Sequence, residues 1–319
     1  MEVKRRTVRT LVARLSSVSE QTRAEALSEL RLMTKHDPDI RPLIAEADAI
    51  PYLAETLYSS AHTAQEDAAA TLLNLSITSR SALMSTRGLL DALSHALSRH
   101  ATTSSPSAVQ SSAATLHSLL VEDSYRPIIG SKRDIVYALL DVIKNPNSAT
   151  RSIKDALKAL FGIALYQPNR KTVVELGGVG PLFGLIHRVS LAGIVEDATA
   201  VIAQVAGCEE SEEAFRKISG IGVLVELVDG AAGESMRVRE NAVAAILNLV
   251  RFGGETVGRE VWEMGMRMVD GVADVAESGS VKGKGKAVEL LKVLYSGGNG
   301  CFLGDDLSES ELKPREMSA

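Results

Sequence analysis

Cysteine is nearly missing from this chain. Two in 319 residues, Cys208 and Cys301, are too few and too far apart for a disulfide framework, and they fit a reducing compartment such as cytosol or nucleus. Aromatic residues make up only 4%, with Trp262 the single tryptophan, so the interior has to be filled by aliphatic side chains and small spacers. Neither sign of charge dominates: 35 basic against 40 acidic residues leave a net charge of -5, a balance that does not favour nucleic acid or an anionic membrane. No run approaches the ~18 consecutive apolar residues of a membrane span. The start, Met1, Glu2, Val3, Lys4, Arg5, Arg6, lacks the apolar stretch of an export signal. The expectation is a soluble cytoplasmic or nuclear chain with no membrane span and no nucleic-acid partner. Lys4, Arg5, Arg6 and Arg9 read either as a solvated helix end or as a nuclear localisation patch.

What is present is a period. The segment "DAAATLLNLS" from Asp67 has relatives at Glu25, Ser111, Asp155, Asp197, Asn241 and Lys286, whose second positions are Ala26, Ala68, Ser112, Ala156, Ala198, Ala242 and Ala287. Successive gaps of 42, 44, 44, 42, 44 and 45 residues mark a repeat array rather than one compact core. Within each segment apolar residues fall three and four apart, as in Ala69, Leu72, Leu73 and Ser76 or Val243, Ile246, Leu247 and Val250, giving a helix with one buried face. A second helix precedes each one, as in "DIVYALLDVI" from Asp134. A shorter pattern sets an Arg three residues before an aliphatic: Arg41 with Ile44, Arg80 with Leu83, Arg126 with Ile129, Arg170 with Val173. A third, short helix per unit accounts for these pairs, and Gly177 with Gly178 suits a turn needing positive φ.

Three helices per unit of about 42 residues is the armadillo plan. The expected fold is therefore an all-α, right-handed superhelical armadillo-repeat solenoid of about seven three-helix repeats, spanning residues 7–295. A disordered tail is expected over residues 296–319, and a mobile surface loop over "RHATTSSPSAV" from Arg99. Met264, Met266 and Met268 in the atypical last unit read as end-cap packing.

Catalytic and metal chemistry finds no foothold. The six histidines form no HExxH and no zinc spacing, "SVKGKGKA" from Ser280 misses the first glycine and the Ser or Thr of a phosphate loop, and no G-x-S-x-G elbow occurs. Neighbouring carboxylates such as Glu66 with Asp67 diverge on a helix. The expectation is no enzyme, no cofactor and no metal.

Stacked units curve, and their third helices line an inner groove. Groove-facing positions in this register are Asn74, Ser118, Gly162, Gln204 and Asn248, and one turn earlier Ala70, Ala114, Lys158, Ala200 and Ala244. Asp67, Lys154 and Arg239 complete the candidate partner-binding set. Asn74 and Asn248 are read two ways: as amides that pair with the backbone of a bound peptide, or as bonds to a neighbouring helix. The implied partners are other proteins, as extended segments or helices in the groove, with the chain itself a monomer.

The segments "AAATLLNLSI" from Ala68, "NRKTVVELGGVGPLFGLI" from Asn169 and "RVRENAVAAILNLV" from Arg237 resemble the repeat region of plant U-box/armadillo ubiquitin ligases. In that family the repeats recognise partners while a separate U-box recruits the ubiquitin-conjugating enzyme. No U-box is visible in this sequence, so the resemblance implies a non-catalytic adaptor linked to ubiquitin-ligase signalling, with the ligase itself as the alternative. Nuclear import adaptors resemble the same fold, but they pair a Trp with an Asn four residues on. Here Ala70 precedes Asn74 and Ala244 precedes Asn248, a departure that weighs against binding of basic localisation signals.

Overall fold

The computed structural model describes residues 2–98, 104–188, 191–230 and 233–298. Among these residues the chain forms nineteen α-helices, one 3-10 turn and no strand. The first unit is a pair, α1 (Glu2–Leu15) and α2 (Glu20–His36). The second comprises α3 (Ile40–Glu46), α4 (Ala49–Thr56) and α5 (His62–Ser76), and the third α6 (Arg80–Ser85), α7 (Leu89–Ser98) and α8 (Pro106–Leu119). The fourth has α9 (Arg126–Gly130), α10 (Arg133–Lys144) and α11 (Thr150–Ala164), and the fifth α12 (Pro168–Glu175), α13 (Val179–Arg188) and α14 (Ala192–Val205). The sixth has α15 (Ser211–Lys217), α16 (Gly220–Asp229) and the front of α17 (Met236–Glu263), whose rear opens the seventh with α18 (Met266–Ser278) and α19 (Val281–Gly298).

The long third helices pack in chain order, α2 on α5, α5 on α8, and so on through α11, α14 and α17 to α19. Extensive packing joins only helices of the same or adjacent units, which is the stacked arrangement that an array of individually uncoverable apolar faces requires. On α5 the fully buried apolar residues are Ala68, Ala69, Leu72 and Leu75, and on α11 Ala156, Leu157, Ala159, Leu160, Ile163 and Ala164. Each third helix from α5 to α17 is thus covered on three sides, by its two like neighbours and by the shorter helices behind, leaving one narrow strip open. Leu73, grouped with the buried face by its spacing, falls at the edge of that strip and is half-buried.

The turn from first to second helix repeats a backbone device. Asp48, Gly88, Gly177, Ser219 and Gly265 all stand there with φ between 53° and 93°. Gly177 meets the expectation for its turn, whereas Asp48 and Ser219 hold the same conformation with a side chain, at a steric cost that Asp bears better than most. The recurrent arginines cap carbonyls. Arg41 Nε donates to Thr34 O at 2.8 Å, Arg80 Nε to Ser118 O at 2.8 Å, Arg126 Nε to Leu120 O at 3.2 Å and Arg170 Nε to Ala164 O at 2.9 Å. A cation there satisfies the orphan carbonyls that end a helix and meets the negative end of its dipole.

Two expectations are corrected, and the last units join in their own way. Among the described residues the first unit has two helices rather than three, and α1 supplies its second-helix layer through Val8, Leu11, Val12 and Leu15. The sixth and seventh units share α17, which is broken internally at Gly254 (φ 61°, ψ -149°). Ser296, expected to open the tail, is helical as far as Gly298 continues α19; the remainder of the tail and the Arg99–Thr103 part of the expected loop lie outside the described residues.

Candidate functional site

Four rows of repeat-equivalent positions run across the open strip of the third helices. Reading across α5, α8 and α11, the first row is Glu66, Gln110 and Lys154, the second Ala70, Ala114 and Lys158, the third Leu73, His117 and Phe161, and the fourth Ile77, Val121 and Leu165. All twelve are half-buried or exposed. The surface therefore grades from polar at the N-terminal edge of the helices, through a trough of small alanines, to apolar at the C-terminal edge.

The Asn74 row lies one residue away and points elsewhere. Asn74 Nδ2 donates to Thr34 Oγ1 at 3.0 Å, Ser118 Oγ to Ser76 O at 3.0 Å and Asn248 Nδ2 to Ala203 O at 2.8 Å. Gln204 Oε1 accepts from Arg170 Nη2 at 3.2 Å. Gly162 occupies this row because a Cβ there would stand 2.9 Å from Leu120 Cβ. Of the two readings of the asparagines, the geometry matches the bond to a neighbouring helix. Arg239 is displaced further: its Nε donates to Val228 O at 3.0 Å and its Nη2 to Gly271 O at 3.3 Å, with Asp274 as ion partner, so it ties the second-helix layer together and is not a groove residue. Asp67 is buried and paired with Arg31 at 2.6 Å.

Lys154, Lys158 and Ala70 do face the groove. Around the two lysines gathers a cluster that the sequence did not single out. Gln110 Nε2 donates to Asp155 Oδ2 at 3.1 Å, and Lys158 Nζ stands 4.0 Å from Asp155 Oδ1. Burial, and next the charge of Lys158, hold the His117 imidazole below its ordinary pKa. Burial raises the Asp197 carboxyl above the ordinary carboxylate value, with Lys158, Lys154 and Arg237 close enough to oppose it. The signal for Gln110 and His117 was available, since they share rows with Lys154 and with Leu73.

The carboxylates of the first row are already engaged. Ser105 Oγ donates to Glu66, Ser235 Oγ to Glu196 Oε1 at 2.7 Å, and Ser280 Oγ to Glu240 Oε2 at 2.9 Å. Each of these hydroxyls also accepts a backbone N–H in the opening turn of its own helix, from Ser107, Val238 and Gly283 respectively. They are seams between units rather than free acid.

One cavity lies away from the groove. It is about 820 Å³, open to solvent, and formed between the loops of the first two units by residues including Leu15, Glu20, Arg23, Tyr52 and Glu55. It contains none of the groups with shifted titration. Among the described residues no three of His, Cys, Asp and Glu gather as metal ligands would, and no helix is long and apolar enough to cross a membrane.

Residues 7–299 match the family model of the plant U-box protein ARM repeat region. The chain belongs to that ARM repeat family. Its ARM repeats are 31% identical over 274 residues to U-box domain-containing protein 16 of Arabidopsis thaliana, covering 83% of this chain and 38% of the relative. U-box domain-containing protein 17 of the same plant is 30% identical over 263 residues, covering 82% of this chain and 35% of its own length. The ARM chain thus spans about two fifths of these relatives. Among solved structures, an engineered protein superposes with a TM-score of 0.77 at 22% identity, covering 91% of this chain and 69% of that one. A designed armadillo repeat protein in complex with the peptide (KR)4 superposes at 0.61 and 18% identity, covering 76% of this chain and 99% of that one. At such identities the superpositions carry the ARM fold alone.

Proposed function

We propose that this chain is a non-catalytic adaptor that holds a segment of a partner protein along the concave face of its third helices, in the cytosol or nucleus. The observation that carries the reading is the set of parallel rows on α5, α8 and α11, where side chains from successive units stay half-buried or exposed in register while the apolar faces of the same helices are buried. Such a surface is what stacked repeats use for extended recognition. The family supports a place in ubiquitin-ligase signalling, because its named members carry a U-box and match this chain through their repeats. The adaptor reading takes the groove as a recognition surface, in which Asp155, His117 and Asp197 surround lysines.

Partner capture by proximity labelling, compared between the wild type and Lys154→Glu/Lys158→Glu, tests the adaptor reading. Loss of a defined set of partners in the variant is expected, and an unchanged set removes the groove from the account. Asn74 and Asn248 are poor choices for this experiment, because their amides hold the stack together. Ligase action is assayed separately by autoubiquitination with purified components; ubiquitin transfer dependent on this chain would replace the adaptor by an enzyme. A basic localisation signal is a weaker occupant, since no aromatic shelf precedes Asn74 or Asn248 and both amides are used internally.

A further inference from the structure

Ile77, Val121 and Leu165 stand 44 residues apart at the C-terminal ends of α5, α8 and α11, and each exposes a third or more of its surface, 50%, 54% and 37%. A large aliphatic left in water once is ordinary, but the same choice at the same place in three consecutive units makes a continuous apolar edge. On the opposite edge of the strip the acids are spoken for by serines of the next unit, as Glu66 is by Ser105. Of the cations on the strip, Lys158 keeps 45% of its side chain exposed beside the more buried Asp155, while Lys154 is half-buried with its Nζ packed against Gly193.

We propose that the groove over α5, α8 and α11 takes a partner segment that is acidic along one side and aliphatic along the other, its carboxylates meeting Lys154 and Lys158 and its apolar side chains covering Ile77, Val121 and Leu165. The alanine trough between the edges, Ala70 and Ala114, lets the backbone of that segment approach closely. A Lys- or Arg-rich segment is the opposite of this occupant: it meets two lysines at the centre of the face and brings nothing to cover the aliphatic edge. The inference rests on the groove being the binding surface, and it specifies what the groove selects.

The test uses the full chain and three short fluorescent peptides: one of Glu and Leu arranged with the acids on one side and the leucines on the other, one of the same composition scrambled, and one of alternating Lys and Arg. Anisotropy titrations are expected to rank the patterned acidic peptide first. Lys154→Glu/Lys158→Glu should weaken it by about tenfold or more and flatten its salt dependence, because steering by the two charges is lost. Ile77→Ser/Val121→Ser/Leu165→Ser should weaken it comparably with the salt dependence kept. A wild type that prefers the Lys/Arg peptide, binds the scrambled peptide equally, or binds no acidic peptide overturns the inference. If the preferred peptide is basic yet still sensitive to these groove variants, only the stated selectivity falls. If binding is lost instead on Tyr52→Ser/Tyr137→Ser, which alters the second-helix layer, the groove reading falls with it.

Discussion

Replacing Arg170 measures how much of the stack depends on arginines that cap carbonyls. Its guanidinium donates to Ala164 O at 2.9 Å, to Gly207 O at 3.1 Å and to Gln204 Oε1 at 3.2 Å, so one side chain closes the C-terminal ends of α11 and α14 together. Burial lowers the pKa of this group but leaves it charged. Fully buried, a hydrogen bond from a charged donor contributes about 1.5–3 kcal/mol; Arg170 is half-buried, and solvent screening brings the three together to about 3 kcal/mol. Arg170→Ala should therefore cost about 3 kcal/mol, roughly a hundredfold in the unfolding equilibrium of that region. Arg170→Lys keeps the charge without the planar fork and should lose about 2 kcal/mol. Arg41, with its one bond to Thr34 O, sets the comparison, and Arg41→Ala should cost only about 1 kcal/mol. Equilibrium denaturation ranks the three variants, and native-state hydrogen exchange locates the loss, which should appear in the last turns of α11 and α14. Equal costs for Arg170→Ala and Arg41→Ala, or a lysine variant as stable as the wild type, would refute the argument that the fork bridges two helix ends.

Leu72 is fully buried on α5, which packs against α2 and α8, and Leu72→Ala should destabilise by about 2–5 kcal/mol in urea titration, with protease sensitivity spreading to both neighbouring units. Gly254 sits in a backbone region that disfavours side chains, so Gly254→Ala should cost about 1–3 kcal/mol and alter how α17 turns into the last unit, read by calorimetry. Burial, assisted by Glu210, pushes the Cys208 thiol up to about 11. In a Cys301→Ser background, alkylation of the native protein at pH 8 should thus run roughly two orders of magnitude slower than for an ordinary thiol and recover on denaturation. Asp197 binds its proton more tightly folded than unfolded, so its charge costs stability above the raised folded pKa and costs nothing below the ordinary carboxylate value. Asp197→Asn should accordingly raise the melting temperature at pH 7, with the gain vanishing in acid; a gain that persists at low pH would contradict the cause assigned.

The period and the arginine rows were legible because both follow from what every unit must do, which is bury one helix stripe and close one helix end. The candidate site was less so. Residues 73 and 74 differ by about 100° around a helix, and the open strip is little wider than that, so a one-residue choice decides between groove and seam. Leu73 looked like core and Asn74 like groove, whereas packing turns Asn74 toward Thr34 and leaves Leu73 at the edge. Arg239 misled for a different reason: it lies one turn before the groove rows of α17, but its length lets it reach back to Val228 O and Gly271 O. The bend at Gly254 interrupts α17 at a point the repeat period did not mark.

The serine seams bear on how a chain of near-identical parts finds its correct order. A core made of alanines and leucines every 44 residues or so would accept α8 in the place of α11 with little complaint. The junctions would not: Glu66 is matched by Ser105 and Glu196 by Ser235, while at the corresponding place Lys154 lies over Gly193, whose missing side chain leaves the ammonium room. Sliding the array by one unit would set a lysine against a helix-opening hydroxyl or a glutamate against bare backbone. The units are thus keyed pairwise, and an exchange of whole repeats between related chains would succeed only if each cut carried both halves of its junction.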